Sequence, residues 1–145
     1  MRNSFMSVAA ATLVTIMFTS CNDKPVAVGE VPVEAQTFVK QYFPSQAITY
    51  AEKDWSWFSY QYEVILADGT HVEFDRNNAW HKIECPMSGV PLAAIPAPVA
   101  GYLNNAYPNV AVKKIEKAGK NYEVELINDL ELKLNEQGAL MEIDD

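Results

Sequence analysis

Few constraints on a fold are stronger than a pattern stated twice in one chain. One copy opens at Val31-Pro32-Val33 and passes through Val39-Lys40-Gln41-Tyr42-Phe43-Pro44. It continues to Tyr62-Glu63-Val64 and Trp80-His81-Lys82-Ile83-Glu84. The other opens at Ile95-Pro96-Ala97 and passes through Leu103-Asn104-Asn105-Ala106-Tyr107-Pro108. It continues to Tyr122-Glu123-Val124 and Leu140-Met141-Glu142-Ile143-Asp144. In each copy the two prolines stand twelve positions apart. The expectation is two copies of a small α+β unit that share one core.

Within a unit the hydrophobic period changes once. Ala35, Val39, Tyr42 and Phe43 fall at helical offsets, as do Val99, Leu103, Ala106 and Tyr107. Pro32 and Pro96 suit a first helical turn, and Pro44 and Pro108 disfavour helix at the residue before them. The period then becomes two. Phe58, Tyr60, Tyr62, Val64 and Leu66 alternate with Ser59, Gln61, Glu63 and Ile65, and Tyr122, Val124 and Leu126 with Glu123, Glu125 and Ile127. Asp68-Gly69 marks a hairpin. Thr70, Val72 and Phe74 return inward, matched by Leu130, Leu132 and Leu134. Asn78 and Gly138 correspond at the next turn, and both residue types tolerate a left-handed backbone. Last strands follow at 79–84 and 139–144. The segments 47–53 and 111–117 alternate less clearly and are also read as strands. Each unit is one helix and a four-stranded antiparallel meander. Together they predict a curved sheet of about eight strands with both helices on one face.

The chain divides accordingly. Residues 1–20 carry Arg2 and then an apolar stretch from Met6 to Phe18, the form of a secretory signal peptide. Phe18-Thr19-Ser20-Cys21 has the form of a bacterial lipoprotein cleavage box, which makes Cys21 the lipidation site and membrane anchor. Residues 21–30 read as the lipidated cysteine and a polar tether. The first unit spans 31–84, a linker with Pro86, Gly89 and Pro91 spans 85–94, and the second unit spans 95–145.

Losing Arg2 with the signal moves the formal charge from −8 to −9, because residues 1–20 hold no acidic side chain. No basic stripe is present to displace counterions from phosphates, so nucleic acid is excluded as a partner. Solubility and recruitment of a basic partner both account for the acidity. With Cys21 lipidated, Cys85 has no partner in the chain, and the fold does not rest on disulfides.

The copies differ most between Lys53 and Tyr62, where the first holds four more residues, within a stretch that includes Trp55 and Trp57. Strict alternation puts Trp55, Trp57, Ile65 and Trp80 together on the face opposite the core. Aromatic anchors dominate interface energetics, so this set is the candidate partner-binding surface. A covering loop, the tether, a second protomer or a parity-reversing bulge would account for it equally. Catalytic chemistry is sparse. His71 and His81 lack metal-ligand spacing, and Cys85 lies too far along a strand from His81 to share a proton. No phosphate loop, nucleophile elbow or zinc motif occurs. No cofactor, metal or catalytic residue is expected.

These motifs, in this order twice over, resemble the β-lactamase-inhibitor-like, PepSY-like family of periplasmic lipoproteins. The likeness rests on Tyr42-Phe43-Pro44 with Ala106-Tyr107-Pro108, on Tyr62-Glu63-Val64 with Tyr122-Glu123-Val124-Glu125-Leu126, and on the strands Val72-Glu73-Phe74-Asp75 and Leu132-Lys133-Leu134-Asn135. It implies a tandem α+β domain in the envelope of a Gram-negative bacterium, periplasmic or on the outer membrane. It supplies no catalytic residues. The expected function is non-enzymatic binding of a protein or peptide through the exposed sheet face, with inhibition of a periplasmic hydrolase as one form. The alternative is a carrier of a small sugar, lipid or peptide on the same aromatic face.

Overall fold

The computed structural model describes residues 23–55 and 60–145. Trp57 and Cys21 lie outside the described residues. The fold is mixed α and β: a single open antiparallel sheet of nine strands in sequence order, with two helices. The elements are β1 (Asp23–Pro25), α1 (Val33–Tyr42), β2 (Ile48–Asp54), β3 (Tyr62–Leu66), β4 (His71–Phe74) and β5 (Trp80–Glu84). They continue with α2 (Ala97–Ala106), β6 (Val112–Ala118), β7 (Asn121–Leu126), β8 (Glu131–Leu134) and β9 (Leu140–Asp144).

Each helix has ten residues and buries a narrow stripe, Ala35 and Val39 in α1, Val99 and Leu103 in α2. Pro32 and Pro96 sit at the N-cap, one position before the first turn expected for them. Val90-Pro91 leads into a separate 3₁₀ turn, Leu92–Ala94, and does not extend α2. The stripes join Val64, Val72, Phe74, Ile83, Ile115, Val124, Leu132 and Leu134 in one hydrophobic core. The helices therefore cover one face of the sheet, and Phe38 of α1 meets Phe74 edge-on at 5.7 Å between ring centroids.

The ninth strand is β1, which alternation did not reveal. Residues expected to form a tether pair with β2, Asp23 opposite Asp54 and Pro25 opposite Glu52. Proline is tolerated there because β1 is an edge strand. A 3₁₀ turn at Val28–Glu30 follows, and Val31 is buried in the core. The linker is likewise engaged: Cys85 and Val90 donate backbone hydrogen bonds to the carbonyls of Lys113 and Val112.

Four single-residue irregularities interrupt the alternation, two of them in the segments 47–53 and 111–117 that alternate less clearly. Ile48 pairs with Leu66 and Tyr50 with Ile65, which leaves Thr49 as an extra residue. Val112 and Lys114 bracket Lys113 in the same way. In β5, Lys82 pairs with Glu73 and Trp80 with Phe74, leaving His81 over. Leu140 and Glu142 similarly bracket Met141 in β9. A bulge inserts one residue without changing the partner strand, so every side chain beyond it changes face.

Candidate binding face

The sheet face opposite the helices carries side chains only, among the described residues, and they are mostly charged. In a strand whose even positions build a core, the odd positions must meet solvent. Val64, Leu66 and Val72 face the helices. Glu63, Ile65, His71 and Glu73 therefore face away from the helices, with Glu73 buried beside Lys82. Across the sheet Glu52, Glu84, Glu116, Glu123, Glu125, Glu131, Glu142 and Asp144 join them, against Lys82, Lys114 and Lys133.

In the first half these groups form a hydrogen-bonded cluster. The Tyr50 hydroxyl donates to Glu52 at 3.0 Å, and the Tyr60 hydroxyl lies 3.4 Å from Glu52 and 3.5 Å from Glu63. Glu63 is 2.6 Å from Nδ1 of His71, and Lys82 is 2.6 Å from Glu73. Burial raises the Glu63 carboxyl above its ordinary value; the His71 bond opposes this, and Glu52 and Glu73 add to it. Burial works against the charge of Lys82, yet its bond to Glu73 leaves the ammonium above its usual range. In the second half Glu125 accepts from Lys113 and Lys114, which hold its carboxyl below the ordinary value. Beside it a groove of about 270 Å³ is lined by Lys114, Glu123, Glu125, Glu131, Lys133, Glu142 and Asp144 with no aromatic ring.

The raised Glu63 sets a pH dependence. A carboxyl that holds its proton more tightly folded than unfolded contributes stability below its ordinary value of 4.5. That contribution is lost as pH rises through the higher folded value. Glu63→Gln should remove this slope, so its melting temperature gains on the wild type between acid and neutral pH. Thermal melts across that range check it, and parallel profiles would show that Glu63 titrates as an ordinary glutamate.

Of the proposed set, the two described tryptophans, Trp55 and Trp80, do not stand on this face. Ile65 stands there, between Tyr50 and His71 in register. Trp80 is a correction: the extra residue at His81 turns it to the helix side opposite Phe74, where it packs on the core beside Tyr122. Lys117 Nζ lies 4.3 Å above its ring. His81 takes the outward place and meets Glu116 at 3.4 Å. Trp55 is also on the helix side of the sheet, 57% exposed, with Lys53 at 4.5 Å and Lys24 at 5.7 Å from its ring. Lys53 also overlies Tyr62, a core-packed ring. Tyr60, expected in the core, instead directs its hydroxyl to the outward carboxylates. The carboxylates were legible from the same period of two, but their number reads equally as solubility, and only the fold shows them on one uncovered surface.

Cys85 is fully buried, and burial pushes its thiol up to about 11, so it stays protonated at neutral pH. Among the described residues no three His, Cys, Asp or Glu side chains converge as metal ligands.

One antiparallel sheet, helix-covered on one side and charged on the other, defines a small sheet-platform protein. The chain belongs to the family described as "Putative beta-lactamase-inhibitor-like, PepSY-like", which matches residues 60–142. It is similar to a crystal structure from Bacteroides thetaiotaomicron described as a "putative calcium-regulated periplasmic protein". That likeness has 41% identity and a TM-score of 0.77, and covers 85% of this chain and 97% of that one. A putative periplasmic protein from Bacteroides vulgatus is 36% identical with a TM-score of 0.80, covering 87% of this chain and 99% of that one. Another from the same organism is 30% identical with a TM-score of 0.77, covering 85% and 99%. No curated protein matches the chain.

Proposed function

We propose that this is a non-enzymatic periplasmic binding protein, anchored by lipid on Cys21, that holds a basic protein or peptide against the uncovered face of its sheet. The observation that carries this reading is that face itself: a pleated surface rich in carboxylates, opposite the side on which both helices pack. An excess of one charge steers and selects a partner of the opposite sign. We also infer that α1–β5 and α2–β9 are two copies of one unit, which the shared positions of their bulges support. The reading rests on the carboxylates and Ile65. Trp55 and Trp80 stand on the other side. The family description makes periplasmic hydrolases the first partners to try. A carrier that stacks ligands on aromatic rings is less well supported, because the groove on this face is lined by none.

The test is capture of partners from envelope extract by immobilised protein, followed by salt elution. Glu84→Lys with Glu116→Lys, in the middle of the face, should leave the circular dichroism spectrum unchanged and lower retention at least tenfold. Unchanged retention would remove the uncovered face as the binding surface.

A further inference from the structure

β9 is built like a strand whose neighbour is missing. It matches β5 position by position: each follows a hairpin, and each carries one extra residue against the preceding strand, Met141 in β9 and His81 in β5. By this register Ile143 corresponds to Ile83 and Asp144 to Glu84. The other side of β5 is filled by β6, with Ile83 opposite Ile115, Lys82 opposite Glu116 and Glu84 opposite Lys114. Among the described residues, the other side of β9 is filled by nothing. The consequence is visible in exposure: Ile83 is 0% exposed and Ile143 45%. An unpaired edge with free N–H and C=O groups is a template for another strand.

The side chains of β9 say which strand fits. On the helix side Ile143 lies opposite Leu132 and needs an aliphatic neighbour, as Ile115 is to Ile83. On the uncovered side Glu142 and Asp144 border the groove. Between β5 and β6 each charge faces its opposite, and the same rule asks for a cation opposite both carboxylates. A second copy of this chain does not supply this. β9 against β9 sets carboxylate on carboxylate, and the other edge, β1, offers Asp23-Lys24-Pro25 among the described residues. We propose that β9 accepts an extended segment of a partner protein with the alternation Lys/Arg–aliphatic–Lys/Arg, added antiparallel as a tenth strand. This rests on the polypeptide binding proposed above and adds a docking site at the edge that borders the carboxylate-rich face.

The experiment uses three synthetic peptides and the folded chain without its signal. One is Lys-Ile-Lys-Val-Lys, one its analogue N-methylated on alternate residues, and one Glu-Ile-Glu-Val-Glu. Fluorescence anisotropy gives affinity, and amide hydrogen exchange reports on 140–144. The basic peptide should bind and slow exchange in β9, and N-methylation should weaken it at least tenfold by blocking the ladder while keeping the charge. Glu142→Lys with Asp144→Lys should reverse the preference towards the acidic peptide. If both basic peptides bind equally without protecting β9, the edge proposal fails and face binding stands. If neither binds while the protein still captures its envelope partner, the edge proposal fails as well.

Discussion

Gly138→Ala is expected to cost about 2–5 kcal/mol of folding stability, a drop in melting temperature on the order of 10 °C. Two effects combine. The residue has φ of +77°, where a side chain costs roughly 1–2 kcal/mol. A Cβ there would also lie 2.2 Å from the carbonyl oxygen of Pro98 and 2.6 Å from its carbonyl carbon, in the first turn of α2. Neither is the end of a flexible side chain, so the helix or the β8–β9 turn must move, an overpacking cost of about 1–3 kcal/mol. The corresponding position in the first half makes the control. Asn78 adopts φ of 61°, and its side chain lies 3.4 Å from Glu34. Asn78→Ala meets the conformational part and the loss of one exposed hydrogen bond, so it should lose less than Gly138→Ala. Equal losses in chemical denaturation would show that the close approach to Pro98 contributes nothing.

Phe74→Ala is expected to be at least as damaging, about 3–5 kcal/mol. Phe74 is 0% exposed, stands opposite Tyr62 and Trp80 in the sheet, and receives the edge-on contact of Phe38. Removing the ring opens a cavity where α1 meets the sheet, and two partly exposed aromatics lose their backing. Because the first and second halves share one core, the whole chain should melt at lower temperature in a single step. A biphasic transition in which residues 97–144 keep their wild-type midpoint would contradict one shared interior. Domains of this size are stable by only about 5–15 kcal/mol, so either substitution removes a large share.

The sequence made the helices, their proline boundaries and the left-handed turn positions legible, because each follows from one residue's local chemistry. Gly138 and Asn78 correspond in the two halves of the sequence, and both have positive φ. Four strands per half were legible too, including 47–53 and 111–117, whose imperfect alternation is the trace of the bulges at Thr49 and Lys113. What failed was parity across a bulge. His81 has no property that marks it as the extra residue. Trp80 was therefore counted to the wrong face, although its neighbour Ile83 was placed correctly. Strand β1 escaped because three edge residues including Pro25 bury almost nothing, and hydrophobic period reports burial. The uncovered face was readable residue by residue as outward glutamates, but their convergence depends on strand order.

Strand β1 also limits how the molecule can stand on a membrane. If Cys21 carries lipid, as proposed, only Asn22 intervenes before Asp23 joins the sheet, a reach of about 7 Å at 3.5 Å per residue. Such a body has almost no leash and cannot swing out to search the periplasm. Its opposite margin lies eight strand spacings away, up to about 40 Å at 4.8 Å each. In sheet order that margin, β9, is the strand farthest from the lipid.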